Sequence, residues 1–437
     1  METLNRHIAE LAPRKFNKYG IAWLAFLGLV ILASLIAYWK QLSEGLVITG
    51  MRDYALWGVY ISNFVFFVAI SLVGSLITAI LRLTGAHWST PITRISEIIA
   101  VAAIIMAGLT IIIDMGRPER LYYLFIYGRL QSPIIWDVIV ISTYLVISLL
   151  LLYYPLLPDF AILNKYYTKQ PKASKWYGRL ALNWTGNPEQ KKRFKKAIRM
   201  LSVLIIPVAF GIHTVTAWLF ATTFRPGWDS TNFGPYFIAG AFVAGAGAVI
   251  TIMYIVRRVY RLENYITDLH FDRMGRLLVL LCLVYLYFNV NEYLVPAYKN
   301  PVDEAVHLES LFTGAYAPLF WLVIIGGLIV PILVLIVPRG RKPLPVFIMG
   351  IIVVVGAWWK RYLIVTPTLL HPFLPVQGVP ESWHHYFPTA PEWTITFGTL
   401  AMALLIITLL VRYLPVIPIQ ETAEERGIIQ IEKTKAK

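Results

Sequence analysis

Four ionisable side chains stand where an apolar chain tolerates them least: Asp114, Asp137, His213 and Asp229. Charges inside a bilayer are costly, so such groups face a protein interior and mark a site or a pathway. Asp114 closes one apolar run, and Asp137 lies one turn into the next. His213 precedes the end of its run by about ten residues, and Asp229 sits in the short segment Arg225-Pro226-Gly227-Trp228-Asp229-Ser230. A carboxylate and an imidazole beside an apolar pocket suit a quinone. Its two carbonyl oxygens need hydrogen-bond partners, and its reduction takes up two protons. Asp114 and His213 are therefore the expected catalytic pair, and Asp137, Trp136 and Asp229 complete the expected quinone-binding set.

Other polar groups suggest a route and a surface. Glu97 and Arg94 begin the run that Asp114 ends, and Glu292 lies near the end of a later run with Asn289 and Asn291. A proton path through Glu97, Glu292 and Asp114 is an expectation of this pattern. Glu97 and Asp114 are 17 residues apart, about 25 Å along a helix, so intermediate groups such as Thr110 are needed. Arg117 and Trp228 are the expected docking residues for a partner. The single cysteine, Cys282, cannot hold an iron–sulfur cluster, a structural zinc or an internal disulfide. A membrane haem needs two facing histidines, and of eight His only His213 falls inside an apolar run. No haem, cluster or metal is expected on this chain, so redox work would join a partner subunit to a bound organic carrier.

The elements that must position these residues follow from composition. Of 437 residues, 58% are apolar and 14% charged, against about 25% charged in a soluble protein. Runs long enough to cross a bilayer fall at 20–38, 55–81, 95–114, 134–157, 198–223, 235–256, 274–295, 318–337, 343–366 and 393–414. With the N-terminus inside, 30 of the 39 Lys and Arg fall on the inner side. This predicts a multi-pass protein of the cytoplasmic membrane with both termini cytoplasmic. The net charge of +15 then belongs to lipid-facing loops, not to nucleic-acid binding. The first run ends without a small-residue cleavage pattern and reads as a retained anchor.

A faint internal repeat organises the runs. Arg94 and Asp114 bracket the third as Arg273 and Glu292 bracket the seventh, and Pro133-Ile134-Ile135-Trp136 matches Pro318-Leu319-Phe320-Trp321. His213 and Lys360-Arg361 then fall at corresponding outer ends. The predicted fold is an all-α polytopic membrane protein: helices 2–5 and 6–9 as two four-helix bundles, plus two flanking helices. Its parts are a cytoplasmic N-terminus (1–19), a flanking helix and outer loop (20–53), and a first bundle (54–224) carrying a basic cytoplasmic loop (158–197). A second bundle (225–366), an outer loop with flanking helix (367–414) and a cytoplasmic tail (415–437) follow.

Several stretches together carry a family likeness. They are Trp57-Gly58 through Arg82, Ile113-Asp114-Met115-Gly116-Arg117-Pro118, Gln131-Ser132-Pro133 with Trp136-Asp137, and His213-Thr214-Val215. Arg225-Pro226-Gly227-Trp228, Phe233-Gly234-Pro235-Tyr236-Phe237 and Arg361-Tyr362-Leu363-Ile364-Val365 extend it. Over roughly residues 50–370 the chain resembles the NrfD-like membrane subunits of polysulfide reductase-type complexes. It is most similar to the long ten-helix branch, which includes membrane subunits of alternative complex III and of sulfur-compound oxidoreductases. The resemblance implies electron exchange between a quinone (menaquinone or ubiquinone type) and an iron–sulfur, ferredoxin-like partner subunit, itself joined to a molybdopterin or cytochrome subunit. It also implies a quinone site at the outer side of the first bundle. Two positions depart from the branch pattern: Ser71-Leu72-Val73-Gly74 and Asp229 stand where members often carry His. An anchor or proton-conducting paralogue without a working quinone site is the alternative, and a secondary transporter ranks below both.

Overall fold

The structure, a computed structural model, describes residues 2–13, 16–374 and 377–428. Lys433, Lys435 and Lys437 of the expected tail lie outside the described residues. Every regular element among the described residues is helical. Ten helices are long and apolar enough to cross a membrane, and they are numbered here as spans. Spans 1 to 5 are Lys18–Glu44, Val59–Leu83, Thr90–Asp114, Pro133–Tyr166 and Pro188–Ala221. Spans 6 to 10 are Phe233–Tyr260, Asp268–Lys299, Ala317–Ile336, Pro343–Leu370 and Ala390–Tyr413. The chain is a multi-pass, all-α membrane protein. The face where the helices Glu2–Leu11 and Ile419–Glu425 meet is called inner and the opposite face outer.

Local signals set the helix ends. Asn17 caps span 1, its side chain accepting from the Gly20 N–H at 2.8 Å. Asn187 caps span 5 by accepting from the Gln190 N–H at 2.7 Å, with Pro188 in the first turn. A proline there loses no hydrogen bond. Span 5 therefore starts ten residues before its apolar run, and Lys191, Lys192, Arg193, Lys195 and Lys196 lie on its first turns. The stretch expected as a basic loop is largely helical, with further helices at Leu157–Tyr166 and Pro171–Leu180.

Span 2 is the centre of the molecule, buried from Val59 through Ala79. It packs against spans 3, 5, 6 and 9. Close approach rests on small residues, as membrane helices require: a Cβ on Gly74 would collide with the Ser96 carbonyl. Spans 8 and 9 cross where Gly327 faces Gly356, and a Cβ on Gly356 would lie 2.9 Å from the Gly327 Cα. Span 8 widens into a π-helix at Leu322–Ile329 and stays helical. Span 1 sits at the rim against span 10, with Phe26, Leu29, Leu32 and Ile36 exposed, as befits a lipid-facing helix.

The inner face is laced by the chain ends. The fully buried Arg94 donates to Asp159 Oδ2 at 2.5 Å, to the Pro415 carbonyl at 3.0 Å and to the Pro155 carbonyl at 3.1 Å. Asp159 in turn accepts from the backbone N–H groups of Ile419 and Gln420 at 3.1 and 2.9 Å. It thereby satisfies donors that open the short helix Ile419–Glu425, the task of a capping carboxylate. On the N-terminal helix Glu2–Leu11, His7 Nε2 meets the Ile419 carbonyl at 3.2 Å, and its Nδ1 lies 3.0 Å from the Tyr265 hydroxyl.

Candidate functional site

Near the outer ends of spans 4 and 5, Asp137 and Thr216 meet. The Thr216 hydroxyl donates to Asp137 Oδ1 at 2.7 Å, with both residues buried. His213 lies three residues from Thr216, hence on the same helical face one turn deeper. Its Nδ1 pairs with the Ala209 carbonyl of its own helix at 3.2 Å, while its buried Nε2 faces the Val68 carbonyl of span 2 without a well-formed hydrogen bond. Burying an imidazole nitrogen without a bond is costly, so this atom is a candidate contact for a ligand. The Val68 carbonyl of span 2 and Arg361 of span 9 are the neighbours across the interface.

Asp114 lies elsewhere. Its Oδ1 is also buried without a partner, but its electrostatic neighbours are Glu392 and Tyr60. Around it, the Tyr60 hydroxyl donates to Gln41 Oε1 at 2.7 Å, and Gln41 Nε2 donates to the Ile113 carbonyl at 2.9 Å. Glu392 collects donors from Tyr386, Gly50 and Thr389. Among the described residues, no hydrogen bond joins Asp114 to Asp137 or His213. The expected outer cluster thus has two parts: Asp137, Thr216 and His213 between spans 4 and 5, and Asp114 where spans 1, 2, 3 and 10 meet.

The remaining expected residues take varied places. The Trp136 indole donates to the Leu130 carbonyl, tying span 4 to its preceding loop. Trp228 is fully buried, donating to the Ile364 carbonyl at 2.8 Å and stacking with Trp57 at 6.0 Å. The turn that carries it has Pro226 followed by Gly227 at φ +80°, the backbone of a type II turn. Its indole holds that turn from within and offers no exposed docking surface, which corrects the expected role. Arg117 is exposed, as docking requires. Asp229 is exposed and leads to Ser230, whose hydroxyl donates to Glu292 Oε2 at 3.0 Å. That turns Asp229 toward the second group of spans, away from His213.

Glu97, at the inner end of span 3, is buried and ion-paired with Arg82 at 2.8 Å. Between it and His213 lie buried hydroxyls that sequence reasoning did not single out. Thr78 donates to the Thr93 carbonyl at 3.4 Å, Ser75 and Ser148 lie 3.2 Å apart, and the Tyr144 hydroxyl reaches the Ser71 carbonyl at 2.5 Å. The spacing of four residues in Ser71/Ser75 and in Tyr144/Ser148 puts each pair on one helix face, and that was the available signal.

Spans 6, 7 and 9 hold a second polar group, beside the outer helix Val302–Phe312. Lys360 is buried with Glu292 as an electrostatic neighbour but no ion-paired carboxylate among the described residues: its Nζ donates to the Tyr293 hydroxyl at 2.7 Å and lies over the rings of Tyr293 (4.8 Å) and Phe320 (5.1 Å). Arg361 lies over Phe237 at 4.7 Å, and its Nη1 is buried without a partner. Glu292 accepts at Oε2 from Ser230 and, at 3.3 Å, from Asn232. Asn289 accepts from the Tyr236 hydroxyl at 3.5 Å, whereas Asn291 is half-buried and donates to the Tyr287 carbonyl of its own helix. A small cleft, with a cavity volume of about 30 Å³, opens here, lined by Phe233, Tyr236, Glu292, Tyr293, Glu304 and His307 among others. Burial, reinforced by His371 and Lys360, pushes the His307 imidazole down to about 3.

Comparison with known proteins agrees with this architecture. The chain is 28% identical over 425 residues to a Halobacterium salinarum protein named as a membrane subunit of dimethyl sulfoxide reductase, with 92% of each chain covered. A selenate reductase subunit of Mesobacillus selenatarsenatis is 23% identical, with 89% of this chain and 93% of that one covered. The menaquinone reductase integral membrane subunit of Nitratidesulfovibrio vulgaris is 24% identical, with 94% and 96% covered. The family model described as polysulphide reductase, NrfD matches residues 47–372. That match takes in spans 2 through 9 and leaves out only the flanking spans 1 and 10, and the chain belongs to the polysulphide reductase NrfD family.

Proposed function

We propose that this chain is the quinone-reactive membrane subunit of a multisubunit respiratory oxidoreductase. The observation that carries this reading is the His213 Nε2, buried without a well-formed hydrogen bond one turn from the Asp137–Thr216 pair. The name of the menaquinone reductase relative supports the ligand class. The residues fit the quinol form of such a head group: an imidazole nitrogen and a carboxyl for its hydroxyls, within an apolar helix packing. When bound, a quinone supplies a carrier of two electrons and two protons. His213, its Nδ1 donating to the Ala209 carbonyl, would accept through Nε2 from a quinol hydroxyl, and Thr216 would fix the Asp137 carboxyl for proton transfer. Asp114, its Oδ1 also open, would exchange protons with the outer face.

The buried hydroxyls of Thr78, Ser75, Ser148 and Tyr144 support a route from Glu97 toward His213, with Glu292 serving the other half of the molecule. We further propose that the inner face is cytoplasmic, with both termini, and that spans 2–5 and 6–9 act as two bundles. An iron–sulfur subunit, with a molybdopterin or cytochrome subunit behind it, would dock on the outer face near the exposed Arg117. A second reading, a proton-conducting or anchoring paralogue without a quinone site, is favoured by one observation: the cleft lies among spans 6, 7 and 9 and not beside His213. Substitution separates the two. Asp114→Asn and His213→Ala should each lower quinol-dependent turnover of the purified complex about 100-fold, the usual worth of a proton-transfer group. Unchanged turnover in both would sink the site assignment.

A further inference from the structure

The helix Ile419–Glu425 lies outside the family match, which ends at residue 372, yet it is fastened to the inner end of span 3. The Thr90 hydroxyl donates to Glu425 Oε1 at 2.6 Å. Asp159, itself bound to Arg94, accepts from the Ile419 and Gln420 N–H groups. These bonds fix the face that the short helix turns inward. Glu421 lies four residues before Glu425 and so on the same face. Thr90, Arg94 and Glu97 likewise follow one another along one face of span 3. The Glu421 carboxyl is thereby set near Arg82, Arg94 and Glu97, all of them its electrostatic neighbours.

Three carboxyls, of Glu97, Asp159 and Glu421, share two guanidiniums in this region. Asp159 is committed to Arg94 and to the two N–H groups, and Glu97 is paired with Arg82 at 2.8 Å. Glu421 is the third: among the described residues, no hydrogen bond or ion pair engages its carboxyl. Burial, helped by Asp159 and Glu425 and opposed by Arg82 and Arg94, pushes the Glu421 carboxyl above its ordinary value. Access to water divides the two uncapped acids. Glu97 is sealed, both carboxyl oxygens being buried, whereas Glu421 is half-buried on the terminal helix. A surplus carboxyl that water reaches, set against a sealed carboxylate and a shared arginine, can load a proton and pass it inward.

We propose that Glu421 is the inner mouth of the proton route: it takes a proton from water at the inner face and passes it to the Glu97 carboxylate. The transfer leaves Glu421 ionised and Glu97 neutral, and Arg82, neighbour to both, offsets whichever is charged. The inference rests on the route through Glu97 proposed above. The test follows proton exchange at the inner face, with a pH dye, during quinone turnover by the complex in liposomes. Glu421→Gln and Glu97→Gln should each slow it about tenfold or more, and Glu424→Gln should not. Formate, a small acid that carries protons from water, should restore the rate in Glu421→Ala. A misfolded variant or a lost tether gains nothing from formate, so a slowed Glu421→Ala without rescue overturns the proposal. Slowing in Glu97→Gln alone overturns the role of Glu421 and leaves the route. Slowing in neither removes the route and the mouth together. If the complex turns over no quinone, infrared spectra of the full chain in nanodiscs decide. The Glu97 carboxylic-acid proton should then exchange for deuterium about tenfold more slowly in Glu421→Gln than in the parent, and equal rates overturn the proposal.

Discussion

Spans 2–5 and spans 6–9 bury strong charges by opposite means. In the first group, arginines are matched to carboxylates: Arg94 with Asp159 at 2.5 Å and Arg82 with Glu97 at 2.8 Å. In the second, Lys360 and Arg361 have no carboxylate partner among the described residues and rest on aromatic faces. A matched pair becomes a liability when half of it is removed, because the other charge is left buried. Removing a cation held by ring faces strands no ion-paired carboxylate, Glu292 being a more distant electrostatic neighbour of Lys360. The first group is therefore rigidly sealed, and the second keeps an open cleft beside its charges.

The largest effect expected from this contrast is at Arg94. Arg94→Ala strands the Asp159 carboxylate and removes the donor to the Pro415 carbonyl, so it should cost about 3–5 kcal/mol. The measurement is the unfolding midpoint of the purified chain in detergent. Proteolysis near residues 415–428 should quicken in the same variant, because the segment loses its anchor. A loss below about 1 kcal/mol would break the comparison at its stronger side.

A smaller effect should follow from pH. The folded His307 imidazole stays neutral down to about 3, whereas in the unfolded chain it takes up a proton near 6.5. Below that value the unfolded state binds more protons, so stability is full above about pH 6.5 and falls as pH drops toward 3. The slope contributed is at most about 1.4 kcal/mol per pH unit. His7 on the inner face is also pulled down by burial and acts with the same sign. Comparing His307→Gln with His7→Gln across pH 7.5 to 5 separates the two faces. If His307→Gln keeps the parent's full acid sensitivity, His307 is not the buried neutral group described.

How far this was legible in the sequence depends on the distance between partners. Ten spans could be read from hydropathy, because an apolar run of that length has few other solutions. Asp137 stood out as an acid inside a run, but its partner Thr216 is 79 positions away, and no local pattern links them. Trp228 read as a surface aromatic because its loop is short and polar. Its burial comes from Trp57 and Ile364, which only the packed helices bring near. His307 belongs to an eleven-residue outer helix, too short for a hydropathy window to distinguish from a loop. The cleft it lines exists only where three spans meet.

The smallest expected effect sharpens the contrast most. Lys360→Met keeps the length and flexibility of the side chain and removes its charge. The variant loses the bond to the Tyr293 hydroxyl and the contacts with the ring faces. It also removes the cost of holding an ammonium away from water, which Glu292, a neighbour that is not ion-paired, offsets only in part. The two contributions oppose each other, so the unfolding midpoint should move by less than about 1 kcal/mol, against 3–5 kcal/mol at Arg94. Tyr293 would remain beside Phe312 and Phe320, and the cleft would keep its walls. A loss at Lys360 equal to that at Arg94 would mean that the lysine is held by a charge and not by ring faces, and the difference between the two groups of spans would vanish.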